Sequence, residues 1–173
     1  APCALYYGGD AFRLLIAVVL SAQTTDKGVN KVTPALWTKY NDIPSMATAR
    51  ASDIERIIRS IGFYKRKSIY CVQAAQVVLS EFGGEVPHTI EELTRIPGVG
   101  RKSANVIMHV AFHKADGIAV DTHVFRIAHK LKLSHAKTAD QTEQDLLKAF
   151  PHETWLNVNS QWVLFGREVC IAR

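Results

Sequence analysis

Two residues in this chain combine a reactive group with a position that would use it. Lys102 follows directly on Pro97-Gly98-Val99-Gly100-Arg101, and Asp121 stands in Val120-Asp121-Thr122-His123-Val124. Lys102 falls in the first turn of an expected helix, where the positive end of the helix dipole disfavours an ammonium ion; Arg101 beside it adds to that effect. A neutral lysine amine is a nucleophile. Asp121 precedes a run that places Val124, Ile127, Ala128 and Leu131 on one helical face, and a carboxylate delivered there supports a developing cation or shuttles a proton. Asp-Thr before an amphipathic helix is also an ordinary N-cap. The two roles are compatible if one carboxylate oxygen remains free.

The elements around these residues explain how they would be positioned. A short apolar segment, Leu93 to Ile96, runs into Pro97, which cannot continue a helix and biases Ile96 away from helical angles. Gly98 and Gly100 are expected to make a tight turn with positive φ. Val106, Ile107, Val110 and Ala111 then recur at helical spacing, so a second helix is expected from about Gly100, with a break at residues 113–117. The result is a helix–hairpin–helix signature over residues 91–112, whose exposed amides at a helix N-terminus suit a phosphate oxygen. Gly98-Val99-Gly100-Arg101-Lys102-Ser103 superficially resembles the phosphate loop of nucleotide hydrolases. That motif needs glycine directly before the lysine and a preceding strand, and both are missing.

Leu-Thr-Arg-Ile-Pro-Gly-Val-Gly-Arg-Lys-Ser-Ala-Asn followed by Val-Asp-Thr-His-Val-Phe-Arg resembles the endonuclease III branch of the helix–hairpin–helix DNA glycosylases. The resemblance extends from Phe12 to Arg173. It implies an all-α, two-lobed protein with a DNA cleft between the lobes, acting on duplex DNA that carries oxidised pyrimidines or abasic sites. It makes Lys102 the nucleophile at C1′ of the damaged nucleotide and Asp121 its partner. Gly98, Gly100 and Arg101 become DNA contacts. Ser21-Ala22-Gln23-Thr24-Thr25-Asp26 matches a second block of the family: Gln23 would fill the gap left by an extruded base, with Asp26 near that base. In Ile61-Gly62-Phe63-Tyr64 the residue after glycine, often leucine in the family, wedges into the opposite strand. Phe63 stands there, and an aromatic ring can also enter between base steps. Lys65, Arg66 and Lys67 beside it read either as phosphate contacts or as a solvated basic turn.

Composition agrees with this reading without specifying it. The chain has 173 residues, 47% hydrophobic and 21% charged, as an ordinary folded domain would. Its net charge of +5 favours an anionic partner such as nucleic acid. No apolar run reaches the ~18 residues of a membrane span. Helical spacing predicts helices after Ala11, after Thr25 or Asp26, around Ile54–Ile61 and from Lys67 to Phe82, then through the hairpin region and on past Leu146 and Trp155, with Asn41 to Pro44 as a break. Trp37, Trp155 and Trp162 lie on apolar faces and are expected in the core. The resemblance divides the chain into a six-helix lobe, about 25–130, and a second lobe of 1–24 with 131–173.

Three cysteines, Cys3, Cys71 and Cys170, are widely separated, which fits a reducing compartment. Gly-Arg-Glu-Val-Cys-Ile-Ala-Arg resembles the start of the family's iron–sulfur loop, Cys-x6-Cys-x2-Cys-x5-Cys. A 4Fe-4S cluster is expected only where the natural protein continues with three more cysteines, Cys170 then being a ligand. A monomer is expected, in the cytoplasm of a bacterium or the nucleus or mitochondrion of a eukaryote. The alternatives are a monofunctional glycosylase that uses water, or a hairpin module that binds DNA without chemistry.

Overall fold

The computed structural model describes residues 4–171, and among them there are ten α-helices and no strand. Residues 4–100 form one compact unit and residues 101–171 another.

The first unit is organised on α1 (Ala11–Ser21) and α5 (Tyr64–Glu81). Asp10 caps α1, its Oδ1 accepting from the Phe12 and Arg13 amides at 2.8 and 3.0 Å. A helix apolar all round belongs inside a fold, and Leu14, Leu15, Ile16, Ala17 and Leu20 are fully buried. Each such leucine or isoleucine contributes about 1.5–3 kcal/mol over leaving it exposed. α1 packs on α5 and on α2 (Asp26–Lys39), which Thr25 caps through the Gly28 amide. The expected break at Asn41–Pro44 is instead the entry to α3 (Ile43–Ala47). Asp42 and Ser45 form a capping box there, and Pro44 lies in the first turn, where its missing N–H costs nothing. α3 and α4 (Ala51–Ile57) both pack on α5. α5 starts before Lys67, so the supposed basic turn is its first turn. α6 (Ile90–Leu93), capped by Thr89, ends this unit's helices.

The second unit contains α7 (Arg101–Phe112), α8 (Thr122–Lys130), α9 (Ala139–Ala149) and α10 (Trp155–Glu168). Its core joins Ile118, Val120, Val124, Ala128, Leu146 and Val158. Trp155 and Trp162 are half-buried at the margin of this core rather than inside it, and Trp37 is likewise half-buried in the first unit. A large amphipathic ring covers a core well with one face still wet. These compact units divide the chain at residue 100, unlike the lobe bounds 25–130 and 1–24 with 131–173. α1 is buried against α2 and α5, while α8 packs on α9 and α10. No helix of the described residues is long and apolar enough to cross a membrane.

Candidate functional site

The hairpin turn is built as its residue types require at one glycine and differently at the other. Gly98 has φ +85, and a Cβ there would lie 3.0 Å from Val19 Cγ1 and 3.1 Å from Tyr70 Cδ2. Both backbone conformation and packing therefore demand glycine. Gly100 is not in the left-handed region, contrary to expectation, and a side chain there would meet nothing within 4 Å. What glycine gives at 100 is open access to the backbone. Val99 N donates to Ile96 O at 3.1 Å, which closes the turn.

Lys102 lies exposed in the first turn of α7, which has no acidic residue to offset the positive dipole end. Among the described residues, no hydrogen bond or ion pair holds its ammonium. Its neighbour Arg101 is anchored. Arg101 Nε and Nη2 both donate to the carboxylate of Glu143, which is 2% exposed. The same carboxylate accepts from Asn105 Nδ2 at 3.0 Å and from the Ile118 amide at 3.2 Å. The hydrogen bonds to Glu143 hold the Arg101 guanidinium above its ordinary pKa, against the opposing effect of burial. A Cβ at Gly117 would collide with Glu143 and Asn105, so this polar knot also needs its glycine. Glu143 was not apparent from the sequence, because its partners lie 25 to 42 residues away.

Asp121 caps α8. Its Oδ1 accepts from the His123 and Val124 amides, both at 2.9 Å, which leaves Oδ2 outside the cap. One oxygen thus fixes the carboxyl group and the other is available to a ligand. No ion pair joins Asp121 to Lys102 among the described residues. Farther along α8, Arg126 Nη2 donates to Gly166 O at 3.1 Å and to Cys170 O, fixing the end of α10.

In the first unit, Gln23 and Phe63 are exposed, and both have left-handed backbone, φ +52 and +57. Non-glycine residues seldom adopt that conformation. The two loops are adjacent, since a Cβ on Gly62 would lie 4.0 Å from Gln23 O. Asp26 is half-buried, and its Oδ2 accepts from the Ala4 amide at 3.2 Å. Lys65 and Arg66 are exposed or nearly so, but Lys67 is 4% exposed, so it is neither a solvated residue nor a phosphate contact.

The thiols do not fit a four-iron cluster, which needs four thiolates. Cys71 is fully buried in α5, where burial pushes its thiol up to about 12. Cys170 is half-buried, and Cys3 lies outside the described residues. No group of three or more His, Cys, Asp or Glu side chains gathers as a metal site among the described residues.

A Pro-Gly-Val-Gly turn sequence, a bare lysine at the start of α7 and a half-free aspartate at the start of α8 fit the helix–hairpin–helix class. The model of the HhH-GPD superfamily base excision DNA repair proteins matches residues 16–152. Endonuclease III of Synechocystis sp. is 43% identical over 173 residues, covering 100% of this chain and 78% of the relative. That of Escherichia coli K12 is 40% identical over 162 residues, covering 94% of this chain and 76% of the relative. A solved structure of a trapped endonuclease III–DNA covalent intermediate matches with TM-score 0.91 and 40% identity, over 99% of this chain and 80% of that one. A thermostable thymine-DNA glycosylase, 22% identical over 96% of this chain and 78% of its own, shares the fold with TM-score 0.81. The chain belongs to the endonuclease III family.

Proposed function

We propose that Lys102 and Asp121 carry the reaction of this base excision repair enzyme, a DNA glycosylase and abasic-site lyase, on oxidised pyrimidines in duplex DNA. The observation that carries the assignment is the pair of helix starts in the second unit. Lys102 stands unpaired at the N-terminus of α7, and Asp121 keeps one oxygen out of its cap at the N-terminus of α8. The neutral Lys102 amine attacks C1′, the bond to the base breaks, and the base leaves with a proton. The opened sugar remains bound to Nζ as a Schiff base. Loss of the 2′ proton then expels the 3′ phosphate by β-elimination and nicks the strand. Asp121 Oδ2 supports the cationic sugar and accepts or returns protons.

The first-turn amides of α7 favour a phosphate oxygen as their ligand. Arg101 contributes positive potential there while its guanidinium stays on Glu143. Gln23 and Phe63 are the side chains that enter the duplex when the base is extruded, and exposed left-handed loops suit that task. Asp26, which holds Ala4, has the weakest geometric support as a base contact. Cys170 would ligate a cluster only in a chain with three more such cysteines, and no step here runs through one.

The test is borohydride reduction with duplex DNA that carries one abasic site. A covalent adduct mapping to Lys102 by peptide mass is expected. Trapping at another residue would overturn the assignment. Binding with no adduct would favour the non-catalytic or monofunctional reading.

A further inference from the structure

Gln23 and Phe63 belong to loops far apart in the chain, and one residue outside both motifs joins them. Lys67, in the first turns of α5, donates from Nζ to Thr24 Oγ1 at 2.8 Å. Thr24 is the next residue after Gln23. The backbone amide of Lys67 donates to Phe63 O at 3.0 Å. Lys67 therefore holds the Phe63 carbonyl with its main chain and the Gln23 loop with its side chain. The loops meet again where Gly62 faces Gln23 O. Left-handed backbone at two non-glycine residues persists only where the surroundings hold it.

A buried ammonium is a poor way to stabilise a fold. Burial pushes Lys67 below its ordinary lysine value, against a smaller opposing influence from Cys71 one turn along the helix. A buried charge replaced by an apolar side chain of similar volume commonly leaves a protein as stable or more so. Stability alone thus gives no reason for an ammonium at 67. Its bond to Thr24 does.

We infer that Lys67 is a positioning residue for base extrusion, its side chain clamping the Gln23 loop to the start of α5 so that Gln23 and Phe63 enter the duplex as one preformed unit. The inference rests on the proposal that those two side chains enter the duplex. Without the clamp, each loop must be ordered during binding, and the lost preorganisation falls on the extrusion step. Lys102 and Asp121 belong to other elements, so their chemistry on an already unpaired sugar is unaffected.

The experiment compares single-turnover base release from a duplex carrying one oxidised pyrimidine with borohydride trapping on a single-stranded abasic oligonucleotide, which requires no extrusion. Lys67→Met is expected to slow duplex base release about 10- to 100-fold, the scale on which small misplacements act. It should leave single-strand trapping within about twofold and the melting temperature no lower, in keeping with loss of a buried charge. Thr24→Val should reproduce the kinetic defect, while Thr24→Ser, which keeps the hydroxyl, should behave as the parent. Equal losses on both substrates would show Lys67 to be merely structural and overturn the inference. So would an unchanged Lys67→Met alongside a slowed Gln23→Ala. If Gln23→Ala and Phe63→Ala both released base from the duplex at the parental rate, the extrusion reading itself would fall.

Discussion

The two units place the residues proposed to act on DNA in opposite kinds of backbone. In the first, Gln23 and Phe63 stand exposed on left-handed loop positions, held by contacts from behind. In the second, Lys102 and Asp121 sit at the starts of regular helices, with Arg101 anchored on Glu143 and the Asp121 cap closed. A side chain that must push into a base stack has to project beyond its element, which strained loop backbone achieves. A side chain that must meet one carbon atom needs rigid support, which a packed helix start supplies. Protrusion and precision call for different local structures.

Lys102→Ala should have the largest effect if this division holds. Strand nicking and borohydride trapping should fall by at least about a thousandfold with DNA affinity largely retained, since a lost nucleophile is not replaced by its neighbours. Normal nicking by this variant would end the comparison. Asp121→Asn should lower turnover by about a hundredfold, within the range for a proton-transfer group. Asparagine caps helices nearly as well, so the melting curve should barely move. Full turnover would leave Asp121 as a cap alone. Glu143→Ala strips four donor groups, on Arg101, Asn105 and the Ile118 amide, of their acceptor and should cost about 3 kcal/mol in urea denaturation, the low end for a broken buried pair because Arg101 is partly exposed. A neutral result would mean that the α7 start does not depend on its anchor. Gln23→Ala should slow duplex base release about tenfold, in keeping with an unstacking contribution of a few kcal/mol shared among several contacts.

The smallest effect concerns pH. Burial first, and then the charge of His113, hold His109 below its ordinary value of about 6.5. The unfolded chain therefore takes up a proton that the folded protein resists. Stability is full at neutral pH and declines as pH falls below about 6.5 toward the lower folded value. Denaturation midpoints should drop from pH 7 to pH 5, and less so in His109→Gln. Equal drops in both would remove His109 as the cause.

Local chemistry was legible in the sequence. Proline and glycine mark the hairpin, apolar spacing shows an all-helical chain, and Asp121 reads as a helix cap, because all of these act over short stretches of chain. What escaped was set at long range. Lys67 sits in a run of three basic residues, and only its bond to Thr24, 43 residues earlier, distinguishes it from its exposed neighbours. Arg101 is expected as a DNA contact, and nothing near it in the sequence points to Glu143, 42 residues later, which holds its guanidinium. Gly100 resembles Gly98 in sequence, yet only Gly98 is held to glycine by its backbone angle and its neighbours, whereas a side chain at 100 would meet nothing within 4 Å. The tryptophans follow the apolar faces as expected, but spacing says which way a ring points, not how much of it is covered.

The Arg101–Glu143 bond also carries a consequence for synthesis. Residues through Gly100 carry no part of that anchor, and the support beneath the α7 start enters the chain only with Glu143, 42 residues after Arg101. A nascent chain stalled before that point would leave the Arg101 guanidinium without its carboxylate acceptor. Synthesis thus completes the support of the α7 start only after the whole of α7 has been made.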